Sequence, residues 1–405
     1  MTKTHLICNA HLDPVWLWEW EEGAAAAIST FRVAAEFCEE FDGYIFNHNE
    51  VTLYKWIEEY EPELFIRIQR LVKEGKWHIM GGWYLQPDCN MPSGESFVRQ
   101  ILLGRQYFWE KFGVKPTTAI NFDPFGHSRG LVQILKKSGY DSYLFCRPSQ
   151  SDCALPSHEF TWVGFDGSEI IGHRSLGFYN SPLGKAAEKV ANWRIENKEV
   201  ALGLILWGVG NHGGGPSRMD LSDLKILMEN TKDAEIIHST PEQYFKEVKE
   251  SGAILPRYEG DLNAWAVGCY TSQIRIKQKH RLLENEIFML EKMMSHASLQ
   301  KGLKYPSTEI HEAICDLMVS EFHDILPGSS IQPVEESSLR LLEHGLEIVS
   351  KLKARAFFSL AQGQEKAKEG EIKILIYNPY PYNTKGIFEC EFQLADANWN
   401  EQYTL

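Results

Sequence analysis

Asn121-Phe122-Asp123-Pro124-Phe125-Gly126-His127 is the stretch from which the fold is read. Thr118-Ala119-Ile120 just before it reads as a buried strand end. Pro124 restricts the residue ahead of it to extended backbone, so Asp123 leaves the strand into a turn that Gly126 permits. A carboxylate in that position belongs at the mouth of an α/β fold, where such folds carry their chemistry. Two other stretches resemble it in character: His11-Leu12-Asp13-Pro14-Val15-Trp16, and Glu321-Phe322-His323-Asp324-Ile325-Leu326-Pro327-Gly328.

Outward from Asp123, residues 1–256 alternate short apolar runs with longer helical ones, the pattern of parallel strands joined by crossover helices. Strands are predicted at His5-Cys8, Tyr44-Asn47, Trp77-Gly81, Thr118-Asn121, Tyr143-Cys146, Glu169-Gly172, Ala201-Trp207 and Glu235-His238. His11 and Asp13 follow the first of these, Asp88 the third, Asp123 the fourth and Arg147 the fifth. A Gly-rich run, Gly208 to Ser217, follows the Ala201-Trp207 strand.

Over 257–362 the apolar period becomes helical. Leu283, Ile287, Leu290 and Met294 form one stripe, Ile310, Ile314 and Leu317 a second, and Leu342, Leu346 and Val349 a third, which predicts a three-helix bundle. After a polar linker, Ile374-Tyr377 and Gly386-Phe392 read as strands, so 371–405 is expected to begin a β domain cut short.

The chain has 405 residues, 43% of them hydrophobic, ample for a core of two or three domains. A formal net charge of -14 without any basic run argues against nucleic acid as a partner. No stretch is long and apolar enough for a membrane span, no signal peptide is evident, and the eight cysteines show no C-x-x-C pair. A cytoplasmic protein with a neutral, polar substrate is expected; oligomeric state is open, with a homo-oligomer allowed.

His11 and Asp13 point to one side of an extended segment because strand residues alternate faces. Asp123 and His323 offer further donors of the kinds Zn2+ takes in a compact shell, but spacing alone does not bring them to His11 and Asp13. Taken singly, His11 reads better as a hydrogen-bonded structural histidine and His323 as a helix cap. The Gly-rich run lacks the spacing and the lysine of a phosphate loop, which leaves it as a wide loop for a neutral ligand.

Together these stretches resemble glycoside hydrolase family 38, the zinc-dependent α-mannosidases. His11-Leu12-Asp13-Pro14-Val15-Trp16 matches the family's H-x-D-x-x-W, Asp123-Pro124-Phe125-Gly126-His127 its D-P-F-G-H, and Phe322-His323-Asp324 through Ser329 its F-H-D-x-x-P-G-S. The resemblance implies a distorted seven-stranded (β/α) barrel, then a three-helix bundle lending His323, then β domains. It implies that His11, Asp13, Asp123 and His323 ligate Zn2+ and that Asp123 is also the nucleophile. It further implies that Trp16, Phe125, Arg147, Tyr179 and Asp324 line the pocket of a mannoside or oligosaccharide substrate.

The sequence departs from Golgi and lysosomal relatives where they carry an Asp general acid, since Gly210 is followed here by Asn211 and His212. His212 is the positional candidate for that acid and Asp220 a more distant one. The expected activity is that of a retaining exo-α-mannosidase. The alternatives are a catalytically silent sugar-binding protein and a zinc hydrolase of another bond, such as a sugar deacetylase.

Overall fold

A computed structural model describes residues 2–210, 214–263 and 265–391. In chain order the strands are β1 (Thr2–Asn9), β2 (Phe46–His48), β3 (Trp77–Ile79), β4 (Thr118–Asn121) and β5 (Ser142–Phe145). They continue as β6 (Glu159–Val163), β7 (Glu169–Arg174), β8 (Leu202–Trp207), β9 (Ala234–His238) and β10 (Arg257–Tyr258). Eleven α-helices are interleaved with or follow them among the described residues.

The strands form two five-stranded sheets. β1 organises the first. One of its edges pairs with β8 from Lys3 to Cys8; the other pairs with β9 from Thr2 to Leu6 and then with β2 at Cys8 and Asn9. β3 completes it by pairing with β2. The second sheet runs β10-β6-β7-β5-β4 and is parallel except between β6 and β7. Parallel pairing sends the ends of β1, β2, β3 and β8 the same way within one sheet, and those of β4, β5 and β7 within the other, so the loops that follow are grouped.

All eight strands expected from alternation form. The antiparallel partner of β7 was not expected, although Asp166-Gly167 between two apolar runs is a hairpin signal, and Gly167 adopts φ +81° there. The expected single barrel of seven strands is not what the described residues form, since no sheet closes on itself. β3 is three residues long and is followed by Gly81 and Gly82, both at positive φ, which turn the chain away before it can pair with β4. Side chains bridge that seam instead: Trp83 Nε1–H donates to Ile120 O at 3.0 Å, and Gln86 Oε1 accepts from Phe122 N at 2.8 Å. Between the sheets, Ile7, Leu204 and Leu206 of the first pack with Ile120 and Leu144 of the second in a filled core. Each such side chain contributes roughly 1.5–3 kcal/mol by leaving water.

The three expected helices are Ile274–Lys301, Ser307–Ser320 and Gln332–Ala361. Leu283, Ile287, Leu290, Met294, Ile310, Ile314, Leu317, Leu342 and Val349 are buried as their spacing predicts, whereas Leu346 is half-buried. The helices meet at Gly345, where a Cβ would lie 2.9 Å from Leu283 Cδ2 and 3.4 Å from Asp316 Oδ2. The chain divides into two compact units: Met1–Ile287 with Ser307–Val349, and Phe288–Pro306 with Ser350–Leu405. In the second unit Lys301 Nζ donates to Gln362 O at 2.9 Å. Ile374 to Tyr377 and residues 386–391 form no strand among the described residues and are mostly exposed. No described helix is long and apolar enough to cross a membrane.

One half-buried carboxylate ties the second sheet to the helix Pro241–Glu250. Glu159 Oε1 lies 3.0 Å from His173 Nδ1 and accepts from the Tyr244 hydroxyl. Burial pushes its pKa up, but these partners outweigh burial and bring it to about 2, against an ordinary 4.5. Because the folded value lies below the unfolded one, the stabilisation is complete above pH 4.5 and is lost as pH falls toward 2. A shift of that size corresponds to roughly 3 kcal/mol. Glu159→Gln is therefore expected to lower unfolding free energy in urea at pH 7 and to flatten its decline between pH 4.5 and 2; an unchanged pH profile would contradict the assignment.

Candidate functional site

Three residues far apart in sequence converge at the mouth of the first sheet. His11 and Asp13 follow the end of β1, and His323 sits in the turn that ends the helix Ser307–Ser320. One ligand atom from each lies within 4.8 Å of the others. His11 Nε2 is 2.9 Å and His323 Nε2 3.4 Å from Asp13 Oδ1. His11, Asp13 and His323 are all buried, and the His11 and His323 rings lie 5.3 Å apart.

The orientation of His323 is fixed from behind. The carbonyl oxygen of Gln86 faces both the backbone N–H of His323 at 3.3 Å and its Nδ1 at 3.1 Å. A carbonyl only accepts, so Nδ1 carries a proton, and Nε2 is the ring nitrogen turned toward Asp13. The Gln86 side chain continues the support, accepting from Phe122 N, next to Asp123, and donating to Glu50 Oε1 at 2.8 Å.

Asp123 stands beside this trio rather than within it. Its Oδ1 is 2.7 Å from Arg147 Nη2, off the N–H direction, so the contact is an ion pair and not a hydrogen bond. Arg147 Nη1 also donates to Asp123 O at 3.2 Å. The guanidinium lies 4.4 Å from the Trp265 ring and 4.9 Å from that of Phe178. The turn is the tight one expected: Gly126 has φ +130°, and a Cβ there would meet Asn263 Cα at 2.5 Å.

The electrostatics are those of a site short of positive charge. Burial raises the carboxyl pKa of Asp123, that of Glu50 to about 7 and that of Asp324 to about 7. His323 is driven the opposite way: burial lowers it, but the carboxylates of Asp13, Asp324 and Asp123 carry it up to about 10. Four buried atoms lack any hydrogen-bond partner here: His11 Nε2, Asp13 Oδ1, Asp123 Oδ1 and His323 Nε2. An unpartnered buried polar group costs about 1–3 kcal/mol. His11, Asp13 and His323 offer the nitrogen and oxygen donors a divalent ion such as Zn2+ takes, so these three residues fit a metal.

A second group, His280, Glu284 and Glu321, is equally compact, but its carboxylates are already engaged, with only His280 Nδ1 left without a partner. Glu284 Oε1 accepts from Ser93 N and Ser96 Oγ, and Glu321 Oε1 and Oε2 face His280 Nε2 and Gln100 Nε2. It reads as a structural network.

The sequence model of the glycosyl hydrolases family 38 N-terminal domain matches residues 1–267, and that of the alpha mannosidase middle domain residues 264–360. The chain belongs to glycoside hydrolase family 38. Among similar proteins, alpha-mannosidase G of Dictyostelium discoideum is 31% identical over 84% of this chain and 32% of its own length. The alpha-mannosidase of Saccharomyces cerevisiae is 28% identical over 93% of this chain and 36% of its own length. The crystal structure of an alpha-mannosidase from Enterococcus faecalis superposes with a TM-score of 0.78 at 21% identity, covering 89% of this chain and 43% of that one. The chain thus spans about a third of the length of these curated relatives.

Of the other residues that the family 38 resemblance singles out, Tyr179 and Asp324 adjoin the histidine pair, and Phe125 lies against a ring that flanks Arg147. Tyr179 is buried with its ring 4.5 Å from that of His11. Phe125 stacks on Trp265 at 5.6 Å, and Trp16 is half-buried against Trp18. Asp324 is buried; its Oδ1 accepts from Ser329 Oγ at 2.5 Å, and its Oδ2 lies 3.8 Å from His323 Nε2. His212 lies outside the described residues. Asp220 is occupied elsewhere, since its carboxylate accepts from Gly184 N, Ala186 N and Ser217 Oγ and pins the loop before the helix Ala186–Glu196.

Gln86, Glu50 and His48 were not anticipated. His48 is fully buried with both ring nitrogens unpartnered, and burial lowers its pKa to about 3. Glu50 holds a positive φ of 80°. No spacing rule marks these residues.

Proposed function

We propose that this chain carries the active site of a zinc-dependent retaining exo-α-mannosidase, which removes terminal α-linked mannose from oligomannosides or small mannosides. The observation that carries this reading is the set of four unpartnered buried atoms on His11, Asp13, Asp123 and His323. These four residues would hold Zn2+. When bound, the ion supplies Lewis-acid contacts to sugar hydroxyls and favours the ionised form of the carboxylates beside it. All eight cysteines are free, which suits a reducing, cytoplasmic setting. Residues 371–405 are read as the start of a β domain.

Asp123 is the nucleophile in this reading. Arg147 orients its carboxylate and opposes the effect of burial, which favours the anionic form of the attacking oxygen. That oxygen bonds to the anomeric carbon as the glycosidic C–O bond breaks, and the departing oxygen takes a proton from the general acid, assigned here to His212. Water, deprotonated by the same group, then releases mannose from Asp123. Tyr179, Phe125, Trp16 and Asp324 wall the sugar, with Asp324 available to hydroxyls through Oδ2. Following an aryl α-mannoside by NMR tests the stereochemistry: α-mannose is expected first, and β-mannose as the initial product would rule out the double displacement.

Gln86 has a positioning role, because one residue orients His323 through its carbonyl and the backbone next to Asp123 through its amide. Losing such support commonly weakens a metal site by 10- to 100-fold. Gln86→Leu, which keeps the backbone carbonyl but removes the amide that holds Phe122 N and Glu50, is expected to weaken Zn2+ binding by up to roughly that factor in a competition titration with a chromophoric chelator; unaltered affinity would remove the amide's role.

A further inference from the structure

A cavity of about 500 Å3 lies behind Arg147, with Phe178 and Trp265, the rings that flank its guanidinium, among its walls. Arg174, Ser175 and His158 line it as well. Each of these three contributes a buried atom without a partner: Arg174 Nη2, Ser175 Oγ and His158 Nδ1. Arg174 is 3% exposed, and its Nη1 is committed to the carbonyls of Pro148 and Cys153 at 3.3 and 2.8 Å. Arg147 is neutralised by Asp123, whereas among the described residues no carboxylate lies within ion-pair distance of Arg174. The nearest acid on the wall, Asp152, is exposed and already accepts from Ser149 N and Oγ.

A buried guanidinium with a free N–H edge, joined by a hydroxyl and an imidazole, is built to receive negative charge. A neutral sugar hydroxyl would leave the guanidinium uncompensated. Arg147 lines this cavity and also pairs with Asp123, so the cavity adjoins the carboxylate at which the substrate is proposed to react. The geometry points to an anion subsite in which Arg174, Ser175 and His158 bind a carboxylate or phosphate group carried by the substrate. This deepens the mannosidase reading and rests on it: the substrate class becomes α-mannosides that bear an anionic group.

The test compares, on the zinc-loaded protein, an aryl α-mannoside with its isosteres bearing a carboxylate or a phosphate on the aryl ring. The expected result is a kcat/KM at least tenfold higher for an anionic isostere, through KM. In Arg174→Gln the anionic-to-neutral ratio falls to near one, and in Ser175→Ala, which disturbs no bond seen here, it falls two- to fivefold. Inorganic phosphate is expected to inhibit the anionic substrate more strongly than the neutral one. Equal kcat/KM for charged and neutral substrates would overturn the subsite while leaving the mannosidase reading intact. Calorimetry separates the two ideas: tighter binding of the anionic mannoside without hydrolysis refutes the activity and keeps the subsite. Calorimetric binding of inorganic phosphate with no gain for either anionic mannoside assigns the cavity to a free anion and overturns the substrate-borne group.

Discussion

Asp123→Asn is expected to cut kcat on an activated aryl α-mannoside by roughly ten-thousand-fold or more, the scale on which loss of a covalent nucleophile is felt. The amide matches the carboxylate in shape and keeps the turn that Pro124 and Gly126 impose, so the fold should persist. What it lacks is a lone pair basic enough to bond the anomeric carbon. It also loses the ion pair with Arg147, but it no longer has to carry a charge into a buried position, and those two effects oppose each other. Melting within a few degrees of the parent protein is therefore expected, with turnover gone. Azide added to Asp123→Ala should restore part of the rate by attacking from the vacated face and should give a β-mannosyl azide. Parent-like turnover by Asp123→Asn would end the assignment.

Removal of one imidazole from the proposed metal shell is the other large expected effect. His323→Ala deletes a ring nitrogen aimed by the Gln86 carbonyl, and it leaves Asp13 Oδ1 with one histidine in place of two. Bound zinc measured by emission spectroscopy after dialysis should fall from one per chain to below roughly a tenth, with kcat/KM down by about a thousandfold. Chelation of the parent protein should reproduce both losses, and added Zn2+ should reverse them only in the parent. Zinc also binds the folded state alone, so it should raise the melting temperature of the parent in a concentration-dependent way and that of the variant far less. Activity unaffected by chelators would eliminate the metal from the reaction.

Much of the architecture was legible in the sequence because period is a local property. The β1, β4, β5 and β8 runs announce themselves as short apolar segments, and Leu283 to Met294 as a helical stripe. The joining of strands into sheets is not local. That β3 turns away at Gly81-Gly82, and that side chains rather than a ladder bridge it to β4, depends on tertiary packing no periodicity encodes. The site divides along the same line. His11 and Asp13 share a face by spacing, but the arrival of His323 beside them rested on motif resemblance alone. Gln86 and Glu50 were invisible for a third reason: their importance lies in what they hold, and a supporting hydrogen bond leaves no signature in residue type.

The scattering of His11, Asp13, Asp123 and His323 along the polypeptide bears on how the protein is made. During synthesis the early donors emerge long before the turn that brings His323, and until that turn docks on the Gln86 carbonyl they make only part of a coordination sphere. In the proposed zinc reading, tight capture of the ion is thus postponed until the helical region has folded against the first sheet. Stable metallation then reports completed biogenesis, and a nascent chain has little means of trapping a competing cation too soon.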